Sequence, residues 1–427
     1  MSFEIVNNQF LQHLAAAGSS HDIQACEDIY SDTGVKLLAN GSSLGGDIQA
    51  RLLHHKLRRP LEHSIRVADA PNNRTLLDTF NQILDQDPIL AHWASRSGIT
   101  LELQEALQRL TLPDCAWSAL AIACYSDPKF IEHGLRVTLI AISTAQVAGQ
   151  AWRHLLPAAL LHDIGYLYLS PALWQAQQPI GPGEWKQLSA HPIIGQMWAQ
   201  NVAGLGSEVA SLIACHHERA DESGYPRQIG GERFGPVAEI LALAEMVSGM
   251  LEHRSYPLGQ LRIAFKLLPG QFTRQTRQAA LSGTQDLPAG EAPAISAEKI
   301  EAALHQLLLR FGQALEVLEQ LDWHCTSHVG RQLKQRLSDR LNVIQRAFTS
   351  AGLDVWLPEA QRETDPNGAV FWNELAWIIR ETNWHTRHLA RDLTRQCLLL
   401  PQSEAHAFEP LAGLFLALSD ELTRVGL

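Results

Sequence analysis

The chain reads as mainly α-helical. Apolar residues in every long segment recur with helical rather than strand spacing, and strand-like patterning is confined to one short stretch near the start. Hydrophobic content of 46% and charged content of 19% are ordinary for a soluble globular protein. At 427 residues a single core does not suffice, so two or three domains are expected.

Residues 1–111 form an N-terminal module. Asp28-Ile29-Tyr30-Ser31 and Val35-Lys36-Leu37-Leu38-Ala39 flank Asp32-Thr33-Gly34, the pattern of a short hairpin. Asn40-Gly41 then turns the chain into an expected amphipathic helix carrying Ile48, Leu52, Leu53 and Leu57. The basic run from His54 to Arg59 reads as the solvated face and end of that helix. Helical spacing continues through Leu76, Leu77, Phe80, Ile83 and Leu84, and through Leu101, Leu103, Leu107 and Leu110. None of these residues suggests chemistry.

Residues 112–283 read as an all-helical domain. Its helices are expected at Phe130 to Val147, Leu155 to Asp163, Glu184 to Val202, Val209 to His217 and Val237 to Leu251. The third carries His191 before Pro192, a residue tolerated only near a helix start or at a kink. Residues 284–295 read as a linker rich in Pro and Gly. Residues 296–427 hold four helical stretches, near 296–321, 326–351, 369–399 and 404–424, the pattern of an up-and-down bundle with Trp372, Trp377 and Trp384 in its core or interfaces.

A formal charge of −11 argues against a protein that coats DNA or RNA, while leaving room for a small anion held by a few local cations. Six cysteines are scattered with no CxxC pair, which fits a reducing cytoplasm. The N-terminus lacks a basic leader, and no apolar run approaches the ~20 residues of a membrane span. The expectation is a soluble, cytoplasmic protein with no membrane contact.

The stretch that suggests chemistry is Leu160-Leu161-His162-Asp163-Ile164-Gly165-Tyr166, an apolar helical run ending in a histidine beside an aspartate. Imidazole and carboxylate are ligands of hard to borderline metals, and a carboxylate bridges two ions. The pair alone is weak: with 19 histidines about one His-Asp is expected by chance, and His21-Asp22 is a second. Its weight comes from its companions. His133 lies on an earlier apolar helix, His191 follows, His216-His217-Glu218 opens a run ending in Gly224-Tyr225-Pro226, and Glu245 interrupts the apolar Ile240-Leu241-Ala242-Leu243-Ala244. A single such histidine is as readily a hydrogen-bonded core residue; a set of seven groups is not.

These residues resemble the HD-GYP family of bacterial phosphohydrolases, whose two name-giving motifs stand at His162-Asp163 and Gly224-Tyr225-Pro226. The resemblance implies hydrolysis of cyclic di-GMP to the linear dinucleotide or GMP, with a hydroxide held between two divalent transition-metal ions, iron or manganese, with zinc as an option. His133, His162, Asp163 and Glu245 are assigned to one ion, and Asp163, His191 and one or both of His216 and His217 to the other. Asp163 is the catalytic bridge. Tyr225 shapes the pocket, and Arg254 and Tyr166 face substrate. A cyclic dinucleotide is thus the expected small-molecule partner, and the terminal domains are the expected place for a second copy or a signalling protein.

This chain departs from the family pattern in several places. Tyr166 stands where members have lysine, Glu245 replaces an aspartate, and Glu222 replaces a glycine. Arg254-Ser255-Tyr256-Pro257 keeps one of two usual arginines. Lys129 takes the position of a glutamate that serves trinuclear members, which implies two ions rather than three. Two further readings therefore stay open: a degenerate HD-GYP protein that binds metal or nucleotide and works through protein contacts, and an enzyme for another phosphate ester.

Overall fold

The computed structural model describes residues 3–18, 21–45, 51–53, 55–174, 182–253, 257–267, 270–288, 295–350 and 368–424. It is mainly α-helical, as the apolar spacing predicts. The chain divides into two compact units, one comprising Met1–Ile180, Lys186–Gly249 and Gly270–Leu287, the other Gly181–Trp185, Met250–Pro269 and Pro288–Leu427. The N-terminal segment and the ligand-bearing helices thus share one unit, and residues 257–267 group with the C-terminal bundle. No helix among the described residues is long and apolar enough to cross a membrane.

The first unit opens with α1 (Asn8–Gly18) and four short strands, β1 (Ile23–Ala25), β2 (Ile29–Tyr30), β3 (Lys36–Leu38) and β4 (Ile65–Val67). β2 and β3 pair antiparallel, the hairpin expected around Asp32-Thr33-Gly34. β1 pairs with β4 in the register Ile23↔Val67, a long-range match that local patterning does not signal. The expected helix through Leu57 is not formed at its end: Lys56 and Leu57 bridge to Ile5 and Ser31 in extended backbone. Ile48 and His54 lie outside the described residues.

Six helices follow: α2 (Asn73–Gln86), α3 (Pro88–Ser97), α4 (Thr100–Arg109), α5 (Asp114–Ser126), α6 (Phe130–Val147) and α7 (Leu155–Leu161). A 3-10 helix over Ile164–Tyr168 continues directly from the end of α7. The single helix expected from Glu184 to Val202 is two, α8 (Pro182–Leu188) and α9 (His191–Asn201). Pro192 explains the break: at the first turn of α9 its missing N–H costs nothing, whereas in mid-helix it would delete a bond. α10 (Ser207–Cys215) and α11 (Pro236–His253) complete the ligand-bearing set. α11 is buried along Ile240, Leu241, Ala242, Leu243 and Ala244, as expected of a helix apolar on all sides.

In the second unit α12 (Pro257–Leu267) joins a bundle of four long helices, Ala297–Gln320, His328–Ser350, Gly368–Cys397 and Gln402–Arg424. Their boundaries follow the apolar pattern closely. Trp377 is buried in the bundle core and Trp372 packs against it. The expected linker is partly structured, because α13 (Arg274–Ser282) is followed by a turn whose Gln285 carbonyl accepts from His92 of α3. Residues 289–294 lie outside the described residues.

One buried acid sits in the first unit away from the histidines. Glu62 is 4% exposed, accepts the Tyr168 hydroxyl, and leaves Oε2 without a hydrogen bond among the described residues. Burial pushes its carboxyl up from 4.5 to about 7, against the Tyr168 hydrogen bond, which pulls it down. Between those values the native chain binds more protons than the unfolded one, so stability falls as pH rises through the window and levels off above it. Glu62→Gln is expected to remove a slope worth ~3 kcal/mol in total. Urea melts from acid to pH ~8 measure it; a wild-type-minus-variant difference that does not change with pH overturns the assignment.

Candidate metal centre

Three of the histidines are held by one device. The last carbonyls of a helix have no intrahelical donor. His162, just past α7, sets Nδ1 2.7 Å from the Ala159 carbonyl; His191, just past α8, sets Nδ1 2.7 Å from Leu188; His216, just past α10, sets Nδ1 2.6 Å from Ile213. A carbonyl only accepts, so Nδ1 carries the proton in each ring and, in the neutral form, Nε2 is left as a bare lone pair. Each helix end thereby gains a donor, and each histidine aims an acceptor inward.

Those nitrogens converge on Asp163, which ends α7's extension and begins the 3-10 helix. Its Oδ1 lies 3.3 Å from His191 Nε2 and 3.5 Å from His216 Nε2. Its Oδ2 lies 3.1 Å from His162 Nε2 and 3.8 Å from His133 Nε2. Glu245, projecting from α11, places Oε2 3.1 Å from His133 Nε2 and 3.2 Å from His162 Nε2. Two groups result, each with ligand atoms within 4.8 Å of one another: Asp163 with His191, His216 and His217, and His133 with His162 and Glu245.

All seven expected ligands are therefore brought together. His216 and His217 both join the second group, with ring centroids 4.2 Å apart. Tyr166 stacks on His191 at 4.1 Å between centroids, and Tyr225 stacks on His217 at 4.5 Å. Arg254 lies outside the described residues.

The charge pattern suits a cation. His191 Nε2 and His216 Nε2 stand 2.9 Å apart beside Asp163 Oδ1, three acceptors with no donor of their own in the neutral rings. Burial pushes His216 down to about 4, so its ring stays neutral, and burial likewise holds His217 well below its ordinary value. In the other group burial opposes protonation of His162, but Asp163 and Glu245 beside it drive it up to about 10. Positive charge is called for at that point, and a divalent ion would supply it. His162 Nε2 and Asp163 Oδ1 are buried without a hydrogen bond among the described residues, so the donor set fits metal ions.

The HD domain family model matches residues 120–270, which contain all seven of these residues. A 3'3'-cGAMP-specific phosphodiesterase of Vibrio cholerae is 28% identical over 219 residues, 48% of this chain and 46% of the relative. The response regulator RpfG of Xanthomonas campestris, a cyclic di-GMP phosphodiesterase, is 29% identical over 128 residues, 30% of this chain and 34% of its own length.

Residues 120–270 match an HD domain, and the chain is similar to HD-GYP phosphodiesterases.

A cyclic di-GMP phosphodiesterase of Thermotoga maritima is 30% identical over 140 residues, covering 31% of this chain and 37% of the relative. This chain spans less than half the length of each of these curated relatives. A solved HDG"Y"P protein from Bdellovibrio bacteriovorus aligns with a TM-score of 0.33 at 18% identity, over 62% of this chain and 96% of its own.

The Gly-Tyr-Pro loop of this chain is anchored by a residue to which the sequence gives no role. Glu218, fully buried, accepts from the backbone N–H of Arg227 at 2.7 Å and of Ile229 at 3.1 Å. Tyr225 N–H donates to the His217 carbonyl at 3.0 Å, closing the loop onto the second group. The signal was a carboxylate placed directly after two histidines. Glu222 adopts φ 61°, a left-handed conformation that glycine enters freely and a longer side chain enters at a cost. The family's glycine at that position thus has a backbone reason.

Gly165 has one too: a Cβ there would lie 2.1 Å from the His191 carbonyl oxygen and 2.9 Å from Gly195 N. Gly165→Ala is expected to cost ~1–3 kcal/mol in denaturant melts and to release bound metal, since the 3-10 helix and α9 must separate. A variant with wild-type stability and metal content would refute that packing. Glu222→Gly is expected to gain about 1 kcal/mol; an unchanged or lowered melting midpoint counts against strain at this residue.

Proposed function

We propose that the chain is a metal-dependent phosphodiesterase that hydrolyses a cyclic dinucleotide, cyclic di-GMP first among them, to the linear dinucleotide or GMP. The observation that carries this reading is the division of Asp163, one oxygen toward His162 and His133 and the other toward His191 and His216. The activities of the relatives, on cyclic di-GMP and on 3'3'-cGAMP, support the substrate class.

His133, His162 and Glu245 would hold one ion, and His191, His216 and His217 the other, with Asp163 common to both. Divalent ions in these places supply an acidified water at neutral pH and draw charge from phosphate oxygens. The chain's own part is positional. The backbone carbonyls keep each Nδ1 protonated and each Nε2 available, while the rings of Tyr166 and Tyr225 cover His191 and His217 and narrow the access of bulk water to the second group. Tyr225 offers a ring face to a base, and Tyr166 offers a hydroxyl rather than a charge to phosphate. Arg254 is assigned to phosphate on its sequence position.

A second reading, a binding or signalling module without turnover, is favoured by Glu222, which puts an exposed carboxylate on the Gly-Tyr-Pro loop, and by the uncharged Tyr166. Anaerobic purification with iron or manganese, followed by assays on cyclic di-GMP and 3'3'-cGAMP, separates the two. The enzyme reading expects two ions per chain, turnover lost by more than ~10³-fold in His162→Ala and Asp163→Ala, and loss of both ions in the latter. Full occupancy with every cyclic dinucleotide inert favours the module. Failure to bind metal under any loading ends both.

A further inference from the structure

The 3-10 helix that presents Asp163 is gripped at its far end by residues distant in sequence. Tyr168, its last residue, is 4% exposed. Its ring stacks on Phe10 at 5.3 Å and 10°, and meets Phe3 edge-on at 5.3 Å and 84°. Its hydroxyl donates to Glu62. At the next residue, the Leu169 carbonyl stands 3.1 Å from His13 Nε2, and His13 Nδ1 stands 2.7 Å from Ser126 Oγ, so the imidazole N–H at Nε2 has the carbonyl as its acceptor.

Burying a carboxylic acid against a single hydroxyl is a poor way to fill a core, because an apolar side chain of similar volume carries no desolvation cost. Its presence is explained by what it holds. Tyr168 lies five residues beyond Asp163, and a 3-10 helix rises ~2 Å per residue, so the element is a stiff arm of roughly 10 Å. Its near end is fixed by Gly165 against the His191 backbone. Tilting the far end rotates the Asp163 carboxylate, bringing one oxygen closer to its group and withdrawing the other. Ligand geometry tolerates only ~0.5 Å of such error.

We propose that Tyr168, held by Glu62, is a positioning residue that sets the Asp163 carboxylate between the two donor groups, and so couples metal binding to the N-terminal segment. The inference rests on the two-ion reading above.

Manganese(II) titration of the full chain, by calorimetry and electron paramagnetic resonance, tests it. Wild type should bind two ions with an exchange-coupled signal, the signature of a shared carboxylate. Tyr168→Phe, which keeps the ring and removes only the hydroxyl, should weaken manganese binding by ~10-fold and abolish the coupling. Glu62→Gln keeps an acceptor for the Tyr168 hydroxyl and should retain affinity within about 2-fold of wild type. Ile83→Val in α2 is the control, since a core cavity of comparable cost should leave both readouts unchanged. If Tyr168→Phe fails to fold, Glu62→Leu removes the acceptor instead and carries the same expectation. Wild-type affinity and coupling in the hydroxyl-deleted chain would falsify the positioning role. Fewer than two ions in wild type would instead sink the two-ion reading.

Discussion

The contact on which the centre depends is between two backbones, not two side chains. Gly165 lies so close to the His191 carbonyl that even a methyl group is excluded, and a Cβ on Gly195, one turn along α9, would lie 2.9 Å from the Ile213 side chain of α10. Asp163, His191 and His216 therefore come from three segments that meet at a pair of glycines. The 3.3 Å separation from His191 thus rests on main-chain packing, and the 3.5 Å separation from His216 also on the Ile213 side chain against Gly195.

A second constraint acts on the rings. Helix ends leave carbonyls without donors, and this fold places a histidine just past three such ends. The need to satisfy a buried carbonyl and the need to present an unprotonated nitrogen are met by the same atom pair. Glu245 and His133 come from the long helices α11 and α6, whose burial fixes them without such help. The two donor groups thus rest on different supports, one largely on helix ends and one partly on helix bodies, joined by Asp163.

Much of this was legible in the sequence because it is local. Helical spacing located α6, α11 and the four long C-terminal helices within a few residues, and each candidate ligand stood out as a polar group in an apolar run. What sequence could not give were matters of long range or of chain direction. The pairing of Ile23–Ala25 with Ile65–Val67 joins stretches whose local patterns are too short to signal strands. Leu57 fits a helical stripe but is drawn into a bridge with Ser31, a tertiary override of local preference. The break before His191 was hinted at by Pro192, yet its position depends on packing against the 3-10 helix. That His216 and His217 both join the second group required the folded positions of His191 and Asp163. Glu218 was signalled only by its place after two histidines and Glu62 by nothing local, since their partners are backbone amides of a folded loop and a phenol far along the chain.

The tautomer of His162, His191 and His216 is set by main-chain oxygens, which every residue type supplies alike. Side chains lining the three helices can drift without erasing it, provided the helices still end where they do. Groups around the donor set, such as Tyr166 on His191 or Glu222 on the loop, are thereby uncoupled from the tautomers beneath them. A lineage built this way can exchange its selectivity while inheriting its acceptor set intact.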